Sequence, residues 1–331
     1  MRKFLIWRTA GLVVVLLVMT LVVFALRQVI PSDPARAAVG PNAPASAVEA
    51  KRHELGLDRP LLSQYGSYLR QLVTGDLGTS SRTHGSVAAD IGRFLPASAE
   101  LVLFAILLAV VIATVLALAQ TLLRRSGWLS GLFLSGASAP IFLTSLLLVY
   151  LLWYELHLLP SVGRTSVPDA PDGPTGLLTV DGLLAGRPYV TWDAVQFLFM
   201  PALALAVPMG VAVGRSLRSS LVGVLRQDYV RTARSKGLGE GTILRRHALR
   251  NASTGPLSMA GLQVGLVFAN LLIVERIFAW PGLGLYTVQS LGQSDLTAVL
   301  GVALVFGAAY VVLNALVDLA QAWVDPRVTL E

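Results

Sequence analysis

The sequence contains no cysteine in 331 residues, and that single absence removes disulfides, thiolate nucleophiles and cysteine metal sites together. Histidine is nearly as scarce. His53, His84, His157 and His247 stand far apart, with no pair at the spacing that would put two metal ligands on one helix face. Charge is thin as well: Asp, Glu, Lys and Arg make up 14% of the chain, against roughly 25% in soluble domains. The sequence has no G-x-x-x-x-G-K-[ST] loop to cradle nucleotide phosphates, no H-E-x-x-H and no G-x-S-x-G. Carboxylates do not cluster with histidine inside any apolar run, so neither a hydrolytic site nor a proton relay has its residues. No catalytic residue, bound metal or resident cofactor is expected.

Apolar sequence is what the chain has in abundance, at 54% of residues. A hydrocarbon core about 30 Å thick takes roughly 20 residues of helix to cross, so charge-free runs are the quantity to count. Six are present, at Thr9–Leu26, Leu101–Leu123, Trp128–Tyr154, Ala194–Gly214, Asn251–Val274 and Leu296–Val317. They lack the short alternation of barrel strands, so they are read as helices that satisfy their own backbone. The expected fold class is all-α, a polytopic membrane protein with six transmembrane helices. The first run follows basic residues and precedes Ala35-Arg36-Ala37, as a signal peptide would. At 18 residues it is longer than the roughly 7–15 of a signal core, and five more spans follow, so a retained helix is expected.

Lys and Arg in short loops set the orientation. Arg2, Lys3 and Arg8 precede the first span, Arg124 and Arg125 join the second to the third, and nine basic residues lie between Arg215 and Arg250. With six spans these loops share one side, which makes that side and both termini cytoplasmic. The segment from Glu155 to Asp193 has five acidic residues against Arg164 and Arg187, as an outer loop should. The net charge of +7 thus follows topology, and no aromatics interleave it to stack nucleic-acid bases. Glu100, Glu275, Arg276 and Asp318 fall near span ends, where interface position or helix pairing accounts for them.

These boundaries give an N-terminal transmembrane helix at 1–30, an extracytoplasmic element at 31–98, a five-helix core at 99–325 and a tail at 326–331. Within the core lie an outer loop, 155–193, and a cytoplasmic loop, 215–250. The 31–98 element carries helix-like spacing at Ala45–Leu55 and Leu61–Val73, then turn signals at Gly75, Gly78 and Gly85. The stretch GRTSVPDAPDGPTG in the outer loop is rich in Pro and Gly and is expected to be flexible.

The cytoplasmic loop has the most structure of its own. Leu225, Tyr229, Ala233 and Gly237 recur every four residues, forming a helix face whose side chains shrink toward its end. Gly237 and Gly239 are placed to stop that helix. A second amphipathic piece follows, with Ile243, Leu244, His247 and Ala248 on one side and Arg245, Arg246 and Arg250 around it. The pattern alone is compatible with a basic loop that fixes topology and touches anionic lipid, and equally with a docking element whose small residues admit another protein.

The stretch QDYVRTARSKGLGEGTILRRHALRN resembles the cytoplasmic signature loop of ATP-binding-cassette importer permeases, in the form of the dipeptide, oligopeptide and nickel family. Ala233 and Gly237 match the second alanine and the glycine of E-A-A-x-x-x-G, while Arg231 stands at the glutamate and Thr232 at the first alanine. PSDPAR after the first span is similar to that family's P-G-D-P, with Ser32 for glycine, and VERIFAWPGLG and VDLAQAWVDPRV match in order further on. The long first outer loop resembles that of the B-type subunit.

The resemblance implies a type I importer permease in a bacterial plasma (inner) membrane. Its implied partners are a second homologous permease, two ATPase subunits that hold ATP and Mg, an extracytoplasmic solute-binding protein and a peptide substrate. Nickel or another small solute is the alternative within the family, and a stand-alone secondary transporter is the alternative outside it. Tyr229, Arg231, Thr232, Ala233, Lys236, Gly237, Leu238 and His247 would couple to an ATPase. Tyr65, Gly75, Asp76 and Arg82 would gate the outer side or meet the binding protein. Glu275, Trp280, Pro281, Gly282, Gly284, Asp325 and Pro326 would form structural motifs.

Overall fold

The computed structural model describes residues 2–29, 34–40, 43–54, 56–122, 131, 139–171 and 173–324. Arg124, Arg125, most of the segment before Pro140, Ser32, Asp325, Pro326 and the tail lie outside the described residues. Among the described residues the regular elements are helical, with one isolated bridge, Thr79 to Ser86, as the extended pairing. Four helices are long and apolar enough to cross a membrane: Val87–Thr121, Pro188–Leu225, Thr254–Ile277 and Leu296–Val324. Val13–Leu26 and Ile141–Glu155 are shorter apolar helices, the latter an α-helix to Leu148 that loosens into a π-turn. Pro188–Leu225 and Leu296–Val324 overrun the apolar stretches seen in the sequence, whereas Thr254–Ile277 is only displaced from its stretch by a few residues. The helix expected at Leu101 begins at Val87 and passes through Pro96, because a charge-free run measures the width of hydrocarbon and not where helical backbone ends.

The chain divides into two compact units, residues 1–95 with 286–311, and residues 96–285 with 312–331. In the first, the helices Ala45–Glu54 and Leu61–Val73 arise where the spacing places them. Val23 of the first helix, Tyr68 and Leu300 form a core, lined by Phe24, Tyr65, Leu72 and Leu304. Tyr65 leans on the first helix, its ring 5.3 Å from that of Phe24 and its hydroxyl 2.9 Å from Thr20 Oγ1. Leu283–Gly292, a helix the sequence did not announce, contributes most of its length to this unit.

The second unit is organised around Pro188–Leu225. Met200, Ala202, Ala204, Leu205, Ala206 and Val211 are buried along it. Gly210 and Gly214 let it approach the Val87–Leu122 helix at Ala109 and Ala113: a Cβ on Gly210 would lie 2.8 Å from Ile112 Cβ, and one on Gly214 3.1 Å from Ala113 Cα. Small residues at such a crossing let backbones gain dispersion contacts where lipid supplies no hydrophobic drive.

The GRTSVPDAPDGPTG stretch departs from its expected flexibility. Asp193 accepts from Thr165 Oγ1 and Ser166 Oγ, both at 2.6 Å, and Asp181 accepts from Thr175 Oγ1 at 2.7 Å. Arg164 bonds the Gly176 carbonyl at 2.7 Å. Proline and glycine here shape a loop whose short polar side chains fix it to neighbouring carboxylates, a pairing that local composition does not reveal.

Candidate functional site

The loop after Pro188–Leu225 forms a helix, a break and a second helical arm. Asp228–Ser235 is the first helix. Gly237 takes φ +78°, its N–H donates to the Arg234 carbonyl at 2.9 Å, and Leu238 N–H donates to Ala233 O at 3.3 Å. These two bonds make a Schellman cap, which needs the left-handed conformation that glycine adopts without a Cβ penalty. Gly239 does not help to stop the helix. With φ −65° and ψ 147° it opens the next turn, Glu240–Thr242, which loosens into π-helical Ile243–Ala248 before Leu249–Ala252.

Two apolar clusters hold this loop. Val230, Ala233 and Ile243 are buried together, with Leu225 beside them. The expected concavity at Ala233 is therefore filled by Ile243 from the second arm, and the smallness of Ala233 serves packing inside the loop. Farther along, Ala248 and Ala252 pack with Leu217 and Leu221 of the long helix and with Ala117 of Val87–Leu122. Asn251 Nδ2 bonds both Tyr229 Oη and the His247 carbonyl at 3.0 Å, tying the arms together. Across the break, Arg234 grips Glu240 through Nε at 2.6 Å and Nη2 at 3.1 Å. The hydrogen bond from Arg234 holds the Glu240 carboxyl below its ordinary range.

Of the residues expected at this site, Tyr229, Arg231, Thr232, Lys236, Gly237 and Leu238 are exposed, His247 is half-buried and Ala233 is buried. Tyr229 and Leu238 are 42% and 40% exposed, an apolar surface inside a cationic rim. The sequence pattern missed Val230, whose i+3 relation to Ala233 was the available signal.

A second constellation follows Thr254–Ile277. Glu275 is fully buried, its Oε1 accepting from Ser98 Oγ at 2.6 Å and its Oε2 from Leu285 N–H at 3.0 Å. Ser98 Oγ also accepts from Leu283 N–H at 2.7 Å, and the Trp280 indole donates to Ala97 O at 2.9 Å. The chain thus folds back over its own carboxylate. A Cβ on Gly282 would run into that carboxylate, and one on Gly284 would lie 2.8 Å from Leu272 Cα, so both positions require glycine. Ala279 at φ +45° makes the reversal, and Pro281 is half-buried beside Gly282. Nearby, Glu100 is 5% exposed and takes Arg164 Nη2 at 2.5 Å and Nε at 3.2 Å on Oε2, with Thr179 N–H and Oγ1 on Oε1 at 2.8 and 2.7 Å. Of the two readings the sequence offered for these acids, interface position or pairing between elements, the geometry fits pairing, because each is enclosed by donors from segments remote in sequence.

The expected outer residues all lie in the first unit, in different local settings. Tyr65 packs on the first helix, while Gly75, at φ +80°, and Asp76, whose Oδ1 accepts from Gly78 N–H at 2.9 Å, build an exposed turn. Arg82 belongs to a separate cluster with Asp295 and Tyr286. Asp295, 1% exposed, caps Leu296–Val324 through Ala298 N–H at 3.2 Å and accepts from Ser80 Oγ at 2.5 Å and Arg82 N–H at 3.2 Å. The Tyr286 hydroxyl donates to Asp90 at 2.9 Å, and burial, then that carboxylate, pushes its phenol up to about 12.

A sequence profile described as the binding-protein-dependent transport system inner membrane component matches residues 109–330, and the profile for the N-terminal part of such components matches residues 1–90. The chain belongs to this family. Permease relatives match it nearly end to end. It is 35% identical to the dipeptide transport system permease protein DppB of Alkalihalophilus pseudofirmus, over 96% of both chains. It is 39% identical to the probable D,D-dipeptide transport system permease protein DdpB of Escherichia coli, over 97% of this chain and 96% of that one. With the glutathione transport system permease protein GsiC of Escherichia coli the identity is 32% over 99% of each. The permease is a polytopic membrane component of a transport system, and the loop at 228–249 and the fold-back at 275–285 both fall within the larger profile match.

Proposed function

We propose that the chain is the B-type permease subunit of an ATP-driven peptide importer in a bacterial inner membrane, with six spans, cytoplasmic termini and half of the translocation path. The peptide class follows from the dipeptide and glutathione systems named for its relatives. Its partners are a second permease, two ATPases that carry ATP and Mg, and an extracytoplasmic binding protein.

The observation that carries the coupling role is the two-armed build of the 228–249 loop. The first arm exposes Tyr229, Lys236 and Leu238, while the second is clamped through Ala248, and Ala252 just beyond it, to Leu217, Leu221 and Ala117. Closure of the ATPases pushes on the exposed arm, and a packed cluster passes displacement to two long helices without absorbing it. Reconstituted with its partners, Gly237→Leu should abolish peptide uptake and substrate-stimulated ATP hydrolysis. Leu238→Asp, which needs no left-handed backbone, should do the same while the protein still inserts. Full uptake by Leu238→Asp, or uptake driven by an ion gradient without ATP, overturns the reading.

A further inference from the structure

Two arginines use the same edge of the guanidinium differently. The Nε–H and Nη2–H groups point the same way and form a fork that matches a carboxylate. In Arg164 both reach Glu100. In Arg82 both atoms are closed off from solvent and have no hydrogen-bond acceptor among the described residues. The group rests instead on the Tyr286 ring, 4.9 Å from its centre, with one long bond from Nη1 to Gln289 Oε1 at 3.4 Å. One turn after Tyr286, the hydroxyl of fully buried Ser290 also has no partner among the described residues.

The carboxylates of this unit that could answer Arg82 are engaged elsewhere, Asp295 with Ser80 and the Arg82 backbone, Asp90 with Tyr286 and Thr83. Buried donors without acceptors favour any state that supplies one, and a charged fork is best answered by a carboxylate.

We propose that the Nε/Nη2 edge of Arg82 is the receptor for a carboxylate side chain of the docking binding protein, reached when the 78–86 turn and Leu283–Gly292 separate enough to open it. This rests on the reading that the 31–98 element faces outward. A protein source fits because Ser81, Thr83 and His84, which flank Arg82, are exposed, and because the family is that of binding-protein-dependent transport systems.

The test uses the complete transporter in nanodiscs and its binding protein. Arg82→Lys keeps the charge without the fork, and Arg82→Met removes both. Each should weaken binding-protein affinity on the order of tenfold, and Arg82→Met should also flatten its salt dependence, which a merely structural role would leave alone. The chain has no cysteine, so His84→Cys can be labelled alone with an impermeant maleimide in intact cells. No labelling overturns the orientation, and the proposal with it. Labelling together with unchanged affinity and salt slope overturns the proposal by itself. Intact affinity with impaired uptake of free-acid but not amidated peptides assigns the fork to cargo and also overturns it.

Discussion

Arg164 and Arg82 are each partly buried, each sits against an aromatic ring, and each has a carboxylate-bearing neighbourhood, yet only in Arg164 is the Nε/Nη2 edge paired. Arg164 closes a buried ion pair with Glu100 and lies 5.7 Å from the Trp280 ring, while Arg82 stacks on Tyr286 with its fork unanswered. The first arrangement is complete within one chain. The second becomes complete only when something is added, and the difference separates an arginine that maintains the fold from one available for recognition.

Mutation should expose that difference as a ranking. The largest effect is expected from Arg164→Ala, which leaves Glu100 buried without its cation. Removal of one partner of such a pair costs about 3–5 kcal/mol, measurable as a loss of thermal stability in detergent. Gly284→Ala comes next, at about 1–3 kcal/mol, because the new Cβ meets Leu272 backbone that cannot turn aside. Arg82→Met should cost about 1 kcal/mol or less, the value of a stacked cation, and a loss as large as that of Arg164→Ala would erase the comparison.

The smallest effect concerns an exposed pair. The hydrogen bond from Arg234 holds the folded Glu240 carboxyl below the ordinary glutamate range, so its contribution is full above that range and is lost as pH falls through the lowered value. Hydrogen exchange in the 228–249 loop should therefore show wild type and Glu240→Gln diverging near pH 7 and converging in acid.

How much the sequence disclosed depended on the range of the interactions. Helical spacing located Ala45–Glu54, Leu61–Val73 and the arms of the 228–249 loop, because one face of a helix is written every three or four residues. The Schellman cap at Gly237 was legible for the same reason, being closed by atoms within five residues. Gly239 was misassigned because a glycine adjacent to a cap can serve either helix, and only its negative φ decides. The cages around Glu100 and Glu275 could not be read, since their donors come from Thr179, Arg164 and Ser98, far away in sequence. Resemblance marked VERIFAWPGLG as a motif, and the geometry supplies its physical reason in Gly282 and Gly284 closing over Glu275.

The most direct test of the account places a single cysteine at Leu238 in this otherwise cysteine-free chain and measures cross-linking to the ATPase subunits through the ATP cycle. A high-yield cross-link whose efficiency changes between nucleotide-free and ATP-trapped states is the predicted result. No cross-link to an ATPase in any state, with transport by the cysteine variant intact, would contradict it.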